Sequence, residues 1–310
     1  MALRESPLFT DVYADTDKFC PEPHSAYIFR RSVEARSLHL DKWIRDRADV
    51  LLVDIIQEER ASIAVSIGGT KREVGLRSDT QLSQLCQDIK RPTVYLDITG
   101  LRHHAWAALL RATMHSHLRT VVVYVEPGDY RPSIAPTEGE IYDLSERIEG
   151  VSPLPGFARL GNTGERACFV PLLGFEGARL AYLLEQVEPP GNKIVPVIGV
   201  PGFRPEYPFS TYLGNRRPLL ATKAWQNVQF APANCPFSLF YRLQEIEARY
   251  RDHVLKIAPI GTKPHAIGAV LYAVIRPTAV ELVYDHPIRK ARRTEGTARL
   301  LAYHVWCLVG

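Results

Sequence analysis

The sequence is short of cysteine. Its five, Cys20, Cys86, Cys168, Cys235 and Cys307, lie far apart and form no C-x-x-C pair, which excludes a zinc ribbon and a disulfide framework. Each reads as a small core hydrophobe, and a reducing, cytoplasmic setting is expected. No apolar run approaches the ~20 residues that span a bilayer. The opening stretch, MALRESPLFTDVYADTDKF, has no apolar centre of a signal peptide. G-x-x-x-x-G-K-[ST] is missing, and so is a G-x-G-x-x-G run after a strand, so ATP hydrolysis of the P-loop kind is not expected. H-E-x-x-H and a serine nucleophile elbow are absent as well, and with them the usual zinc-protease and serine-hydrolase signatures. A strong charge bias is also lacking. The formal net charge of +4 suits an anionic ligand but falls far short of a DNA-coating protein.

What is present is an ordinary globular composition with an internal echo. The 310 residues are 46% hydrophobic and 23% charged, enough for a large core in one or two domains. TVYLDITGLRHHAWAALLRATM at 93–114 and HVLKIAPIGTKPHAIGAVLYAV at 253–274 match without a gap when Gly100 is set on Gly261. Gly100 meets Gly261, Arg102 meets Lys263, His104 meets His265, and Leu110 meets Leu271. Each stretch predicts an apolar strand, a glycine turn and a helix with Ala and Leu on its inner side. Upstream, SVEARSLHLDKWIRDRADVLLVDII (32–56) and GFEGARLAYLLEQVEPPGNKIVPVIGV (174–200) both read as a helix feeding an apolar strand, opened by Glu34 and Glu176. The expected fold is α/β: two Rossmann-like halves with mainly parallel sheets, related by tandem duplication. The first half is read as 1–130 and the second as 168–310. A Pro- and Gly-rich linker, 131–167, carries a short helix at 137–148. Gly68-Gly69 predicts a hairpin, and 201–235, with its prolines and aromatics, reads as a long irregular insertion or lid.

The two glycine turns are the candidate ligand sites: Thr99, Gly100, Arg102 and His104 in the first half, Gly261, Thr262, Lys263 and His265 in the second. Thr262 is a good N-cap, and Pro264 suits a first helical turn. The free N–H groups at such a helix start favour an anion. Gly261 lets a ligand approach the backbone, and Lys263, read as exposed, adds a charge. Capping alone also explains Gly, Thr and Pro.

IGTKPHAIGA (260–269) resembles the ligand loop of CRISPR-associated Rossmann-fold (CARF) sensor domains. GFEGAR (174–179) and SVEARS (32–37) are similar to the early strand-to-helix turn of that class. The resemblance implies a sensor of cyclic oligoadenylates that acts in antiviral defence. Here the sensor-like unit would occur twice in one polypeptide, without a nuclease signature following it.

The leading reading is therefore a nucleotide- or nucleic-acid-linked sensor or regulatory subunit. Its expected ligand is a nucleotide or another phosphate-bearing molecule. Nucleic acid, a protein partner or a second copy are further candidate partners; no membrane, cofactor or metal is expected. A metal-dependent phosphodiesterase or nuclease is the alternative, with Asp97, Glu126 or Asp285 at strand ends holding Mg²⁺. A scaffold subunit is the third reading, and it should show a large apolar surface.

Overall fold

Strands buried at every position, or at all but one, form the centre of each sheet. TVYLD at Thr93–Asp97 is one such strand, as expected for a strand covered on both faces. In the computed structural model, which describes residues 9–137, 140–159, 161 and 166–308, it belongs to the first of two units. That unit comprises Met1–Tyr130 and Thr294–Gly310; Arg131–Arg293 form the second. The chain is α/β, with helices between parallel strands.

The first unit has an eight-stranded sheet. Its parallel core is β1 (Ala26–Phe29), β2 (Leu51–Glu58), β3 (Thr93–Asp97) and β4 (Arg119–Tyr130), in the spatial order β4-β3-β1-β2. Ala26 stands opposite both Leu51 and Val94, and Thr93 opposite Arg119. Antiparallel strands extend both edges. Ser62–Ile67 and Thr70–Gly75 lie beyond β2, joined by the Gly68-Gly69 turn, whose φ values of 55° and 86° suit a two-residue hairpin. Thr294–Tyr303 and Thr10–Tyr13 lie beyond β4. Helix α1 (Asp79–Ile89) is capped by Ser78, whose Oγ accepts from the Gln81 N–H. Helix α2 (His103–His115) is buried almost all round, and it connects β3 to β4.

In the second unit the parallel strands are β5 (Ala167–Leu172), β6 (Val197–Gly199), β7 (Gln229–Ala231), β8 (Val254–Pro259) and β9 (Val280–Tyr284). They lie in the order β9-β8-β5-β6-β7, with Ser152–Pro153 antiparallel on the β9 edge. Helices α3 (Gly177–Val187), α4 (Tyr207–Ala221), α5 (Pro236–Arg249) and α6 (Lys263–Ile275) follow β5, β6, β7 and β8. The chain winds outward from β5 to β7, then returns to build β8 and β9 on the other side. The β5/β8 boundary is therefore a topological switch point, where the carboxyl ends of an open parallel sheet leave a crevice.

Four expectations differ from the structure. Residues 131–167 are not a separate linker but belong to the second unit. The helix expected at 137–148 is replaced by strands at Glu140–Tyr142 and Ser145–Ile148, with 138–139 outside the described residues. Ser145–Ile148 pairs with Pro287–Arg289, and Glu176 accepts from the Leu144 N–H and the Ser145 hydroxyl, so tertiary contacts override local helical spacing. The C-terminal strand Thr294–Tyr303 belongs to the first unit, where Leu301 stands opposite Tyr124 and Arg299 pairs with Glu126. The insertion at 201–235 is mostly ordered crossover: α4, a 3-10 turn at Ala224–Asn227, and β7. Pro208 occupies the first turn of α4, where its missing N–H costs nothing.

Candidate functional site

The turn after β8 is built on close backbone contact. A Cβ at Gly261 would lie 2.4 Å from the Leu173 carbonyl oxygen, and one at Gly174 would lie 2.8 Å from that of Ile260. The loops that leave β8 and β5 thus press together at the switch point, and glycine is required there for packing. Thr262 then caps α6. Its Oγ1 accepts from the His265 N–H at 3.3 Å and donates to the Ala233 carbonyl at 2.8 Å. Lys263, expected to be exposed, is 5% exposed and opens the helix. An ammonium buried at the positive end of a helix opposes the dipole and needs negative or carbonyl company.

His265 has a different role from the one expected. It is fully buried, and its Nε2–H donates to the Pro232 carbonyl at 3.0 Å. Burial pushes its pKa down to about 4, so the ring is neutral near pH 7. It braces α6 against the segment after β7 and brings no positive charge to an anion.

Arg179 on α3 completes the switch point. Its guanidinium makes two bonds to the buried Asp285 carboxylate, at 2.7 and 2.6 Å, and one to the Ile260 carbonyl at 3.0 Å. It also lies 5.7 Å from the centre of the Tyr284 ring. Asn215 on α4 is fully buried and donates to the carbonyls of Gly174 and Thr211. The GFEGAR echo was the only sequence signal for Arg179. Nothing local singled out Asn215.

The matching turn of the first unit is filled from within. Thr99 is buried; its N–H donates to Asp97 Oδ1 at 2.8 Å, and its Oγ1 accepts from the Val125 N–H at 3.0 Å. A Cβ at Gly100 would lie 2.0 Å from the Arg30 carbonyl oxygen. Arg102 is exposed, and its backbone N–H donates to Glu58 Oε1 at 2.8 Å. The Glu58 carboxylate is itself fully buried and pairs with Arg30. A carboxylate of the protein thus already stands at the start of α2. His104 is buried within that helix.

The acids of the enzyme alternative are each engaged by other groups of the protein. Asp97 is engaged by Thr99 and by the Tyr27 hydroxyl, Glu126 by Arg299, and Asp285 by Arg179. Among the described residues no group of three or more His, Cys, Asp or Glu side chains is placed to hold a metal ion. None of the five cysteines forms a disulfide, and burial pushes the Cys168 thiol up to about 12. No helix among the described residues is long and apolar enough to cross a membrane.

No family model matches the chain, and no curated protein matches it. Among solved structures it is similar to an N-terminal ketoreductase from a macrolactin assembly line. The identity is 10%, over 88% of this chain and 72% of that one, with a TM-score of 0.24.

Proposed function

We propose that the chain is a sensor or regulatory subunit that binds a phosphate-bearing ligand, a nucleotide or a piece of nucleic acid, at the turn Gly261-Thr262-Lys263. The observation that carries this reading is the pairing of a buried Lys263 with the positive end of α6 beside the switch point. Antiviral defence is the setting that the resemblance to CARF domains implies. A reducing compartment agrees with five cysteines outside any disulfide. The two units are proposed to be duplicates of one ancestor. Supporting this are their matching orders, β4-β3-β1-β2 and β9-β8-β5-β6, and the equivalent glycine contacts at Gly100 and Gly261.

Binding of sulfate, ATP and cyclic oligoadenylates by calorimetry tests the ligand. Lys263→Met keeps the buried stem and removes the charge. Loss of one charge-assisted bond, about 1.5–3 kcal/mol, weakens binding about tenfold to a hundredfold. Equal affinity of the wild type and Lys263→Met, at unchanged melting temperature, would remove the ligand from this turn.

A further inference from the structure

Helix α4 has apolar residues on two opposite sides. One side, with Tyr207, Thr211, Gly214, Asn215 and Leu219, is buried in the unit. The other carries Phe209, Tyr212, Leu213 and Leu220 at helical spacing, all exposed, with Phe209 76% exposed. Trp225, 52% exposed, continues this face on the following 3-10 turn. Together with Arg216 and Leu219 these residues line an apolar groove of about 560 Å³. From 209 to 220 the face extends about 16 Å, or three helical turns.

The charged residues of α4 and of the turn that follows it, Arg216, Arg217 and Lys223, are all basic; Glu206 stands at the start of α4, and Arg242 on α5 is paired with Glu245. Arg216, Arg217 and Lys223 are exposed. A second copy of the chain packed symmetrically on this face would bring its arginines against their own copies, because in a two-fold interface residues near the axis meet themselves. A convex amphipathic surface would suit a membrane, whereas a groove takes a helix.

We infer that the α4 groove docks an acidic amphipathic helix of a partner protein. Phe209 and Trp225 serve as aromatic anchors, and Arg217 and Lys223 meet carboxylates along the rim. This surface is separate from the α6 turn and does not depend on a ligand there.

The test uses the full chain and two synthetic helical peptides with the same leucine face, one with glutamates on its other positions and one with lysines. Phosphatidylserine vesicles form the third arm. Trp225 is the exposed reporter, since Trp43 and Trp106 are buried and Trp306 is partly buried. The acidic peptide should shift its emission to the blue, saturably, and bind at least about tenfold more tightly than the basic one. Arg217→Glu/Lys223→Glu should reverse that preference, and Phe209→Asp should abolish binding; circular dichroism checks that both variants fold. Equal binding of the two peptides, no saturable shift with either, or binding to vesicles alone would each overturn the inference.

Discussion

The two strand-to-helix turns share a backbone and differ in charge. Gly100 and Gly261 each lie under a carbonyl of the neighbouring loop, at Arg30 and Leu173. Each unit also sends an arginine from its first crossover to its last parallel strand or the residue just after it. Arg36 donates to the Val125 carbonyl and Arg179 to Asp285, and each passes within 5.6 or 5.7 Å of the centre of a tyrosine ring, Tyr124 or Tyr284. Yet β2 is long enough to bring Glu58 to the start of α2, whereas β6 spans only Val197–Gly199 and ends in glycine. One turn is neutralised from inside the protein. The other carries a buried Lys263 where the first carries an exposed Arg102, and the proposed ligand site is there.

Removing the arginines should break this comparison most sharply. Arg179→Met would strand a fully buried Asp285 carboxylate and should cost about 3–5 kcal/mol. Arg36→Met leaves the Val125 carbonyl and the largely buried Glu34, and the cost should be smaller, about 1.5–3 kcal/mol. Urea denaturation, with hydrogen exchange assigning the loss to a unit, measures both. Equal costs would mean that the two arginines do the same work.

Acid should act next, through His265. Its pKa is lowered from 6.5 to about 4, so the unfolded chain takes up this proton first. The stabilisation is complete above pH 6.5 and is lost as pH falls from 6.5 to 4. At about 1.4 kcal/mol per pH unit, that is about 3 kcal/mol. His265→Gln, which keeps a donor for the Pro232 carbonyl, should flatten stability across this window. An unchanged acid limb would show that other groups control it.

The glycines test whether the turns are equivalent in packing. Gly100→Ala and Gly261→Ala each press a methyl against a carbonyl oxygen and should each destabilise by about 1–3 kcal/mol. A tolerant Gly261→Ala beside an intolerant Gly100→Ala would end the equivalence. Glu58→Ala then asks about charge. It should open the start of α2 to an external anion, adding a second sulfate site by calorimetry to the one expected at Lys263. A site count left unchanged by Glu58→Ala would show that the α2 turn has no affinity for anions.

How much of this could be read from sequence depends on how local each signal is. The paired segments at 93–114 and 253–274 stand out because β3, α2, β8 and α6 are buried, and their patterns are nearly continuous apolar runs. The glycines were visible, but they serve packing between loops distant in sequence, such as Gly100 under Arg30, as well as any ligand. The strands of 131–167 were not legible, because their stability comes from Pro287–Arg289 and from Glu176. Nor was the pairing of Thr294–Tyr303 with β4, across more than 160 residues. Burial of Lys263 was missed since a lysine at a helix start is ordinarily solvated.

The smallest effect should come from Thr262, and it separates capping from binding. Its hydroxyl accepts from the His265 N–H and donates to the Ala233 carbonyl. The aligned residue in the first unit is Leu101, which is buried, and α2 has no side-chain cap. Helix α2 thus starts without a side-chain cap, whereas α6 starts with one. Thr262→Ala should cost about 1 kcal/mol, and Thr262→Ser, which keeps both bonds, much less. Anion affinity should fall only slightly in either variant, since the backbone N–H groups and Lys263 remain. If Thr262→Ala leaves the melting temperature untouched but abolishes sulfate binding, the hydroxyl contacts the anion directly. The start of α6 would then be held by Gly261 and Pro264 alone.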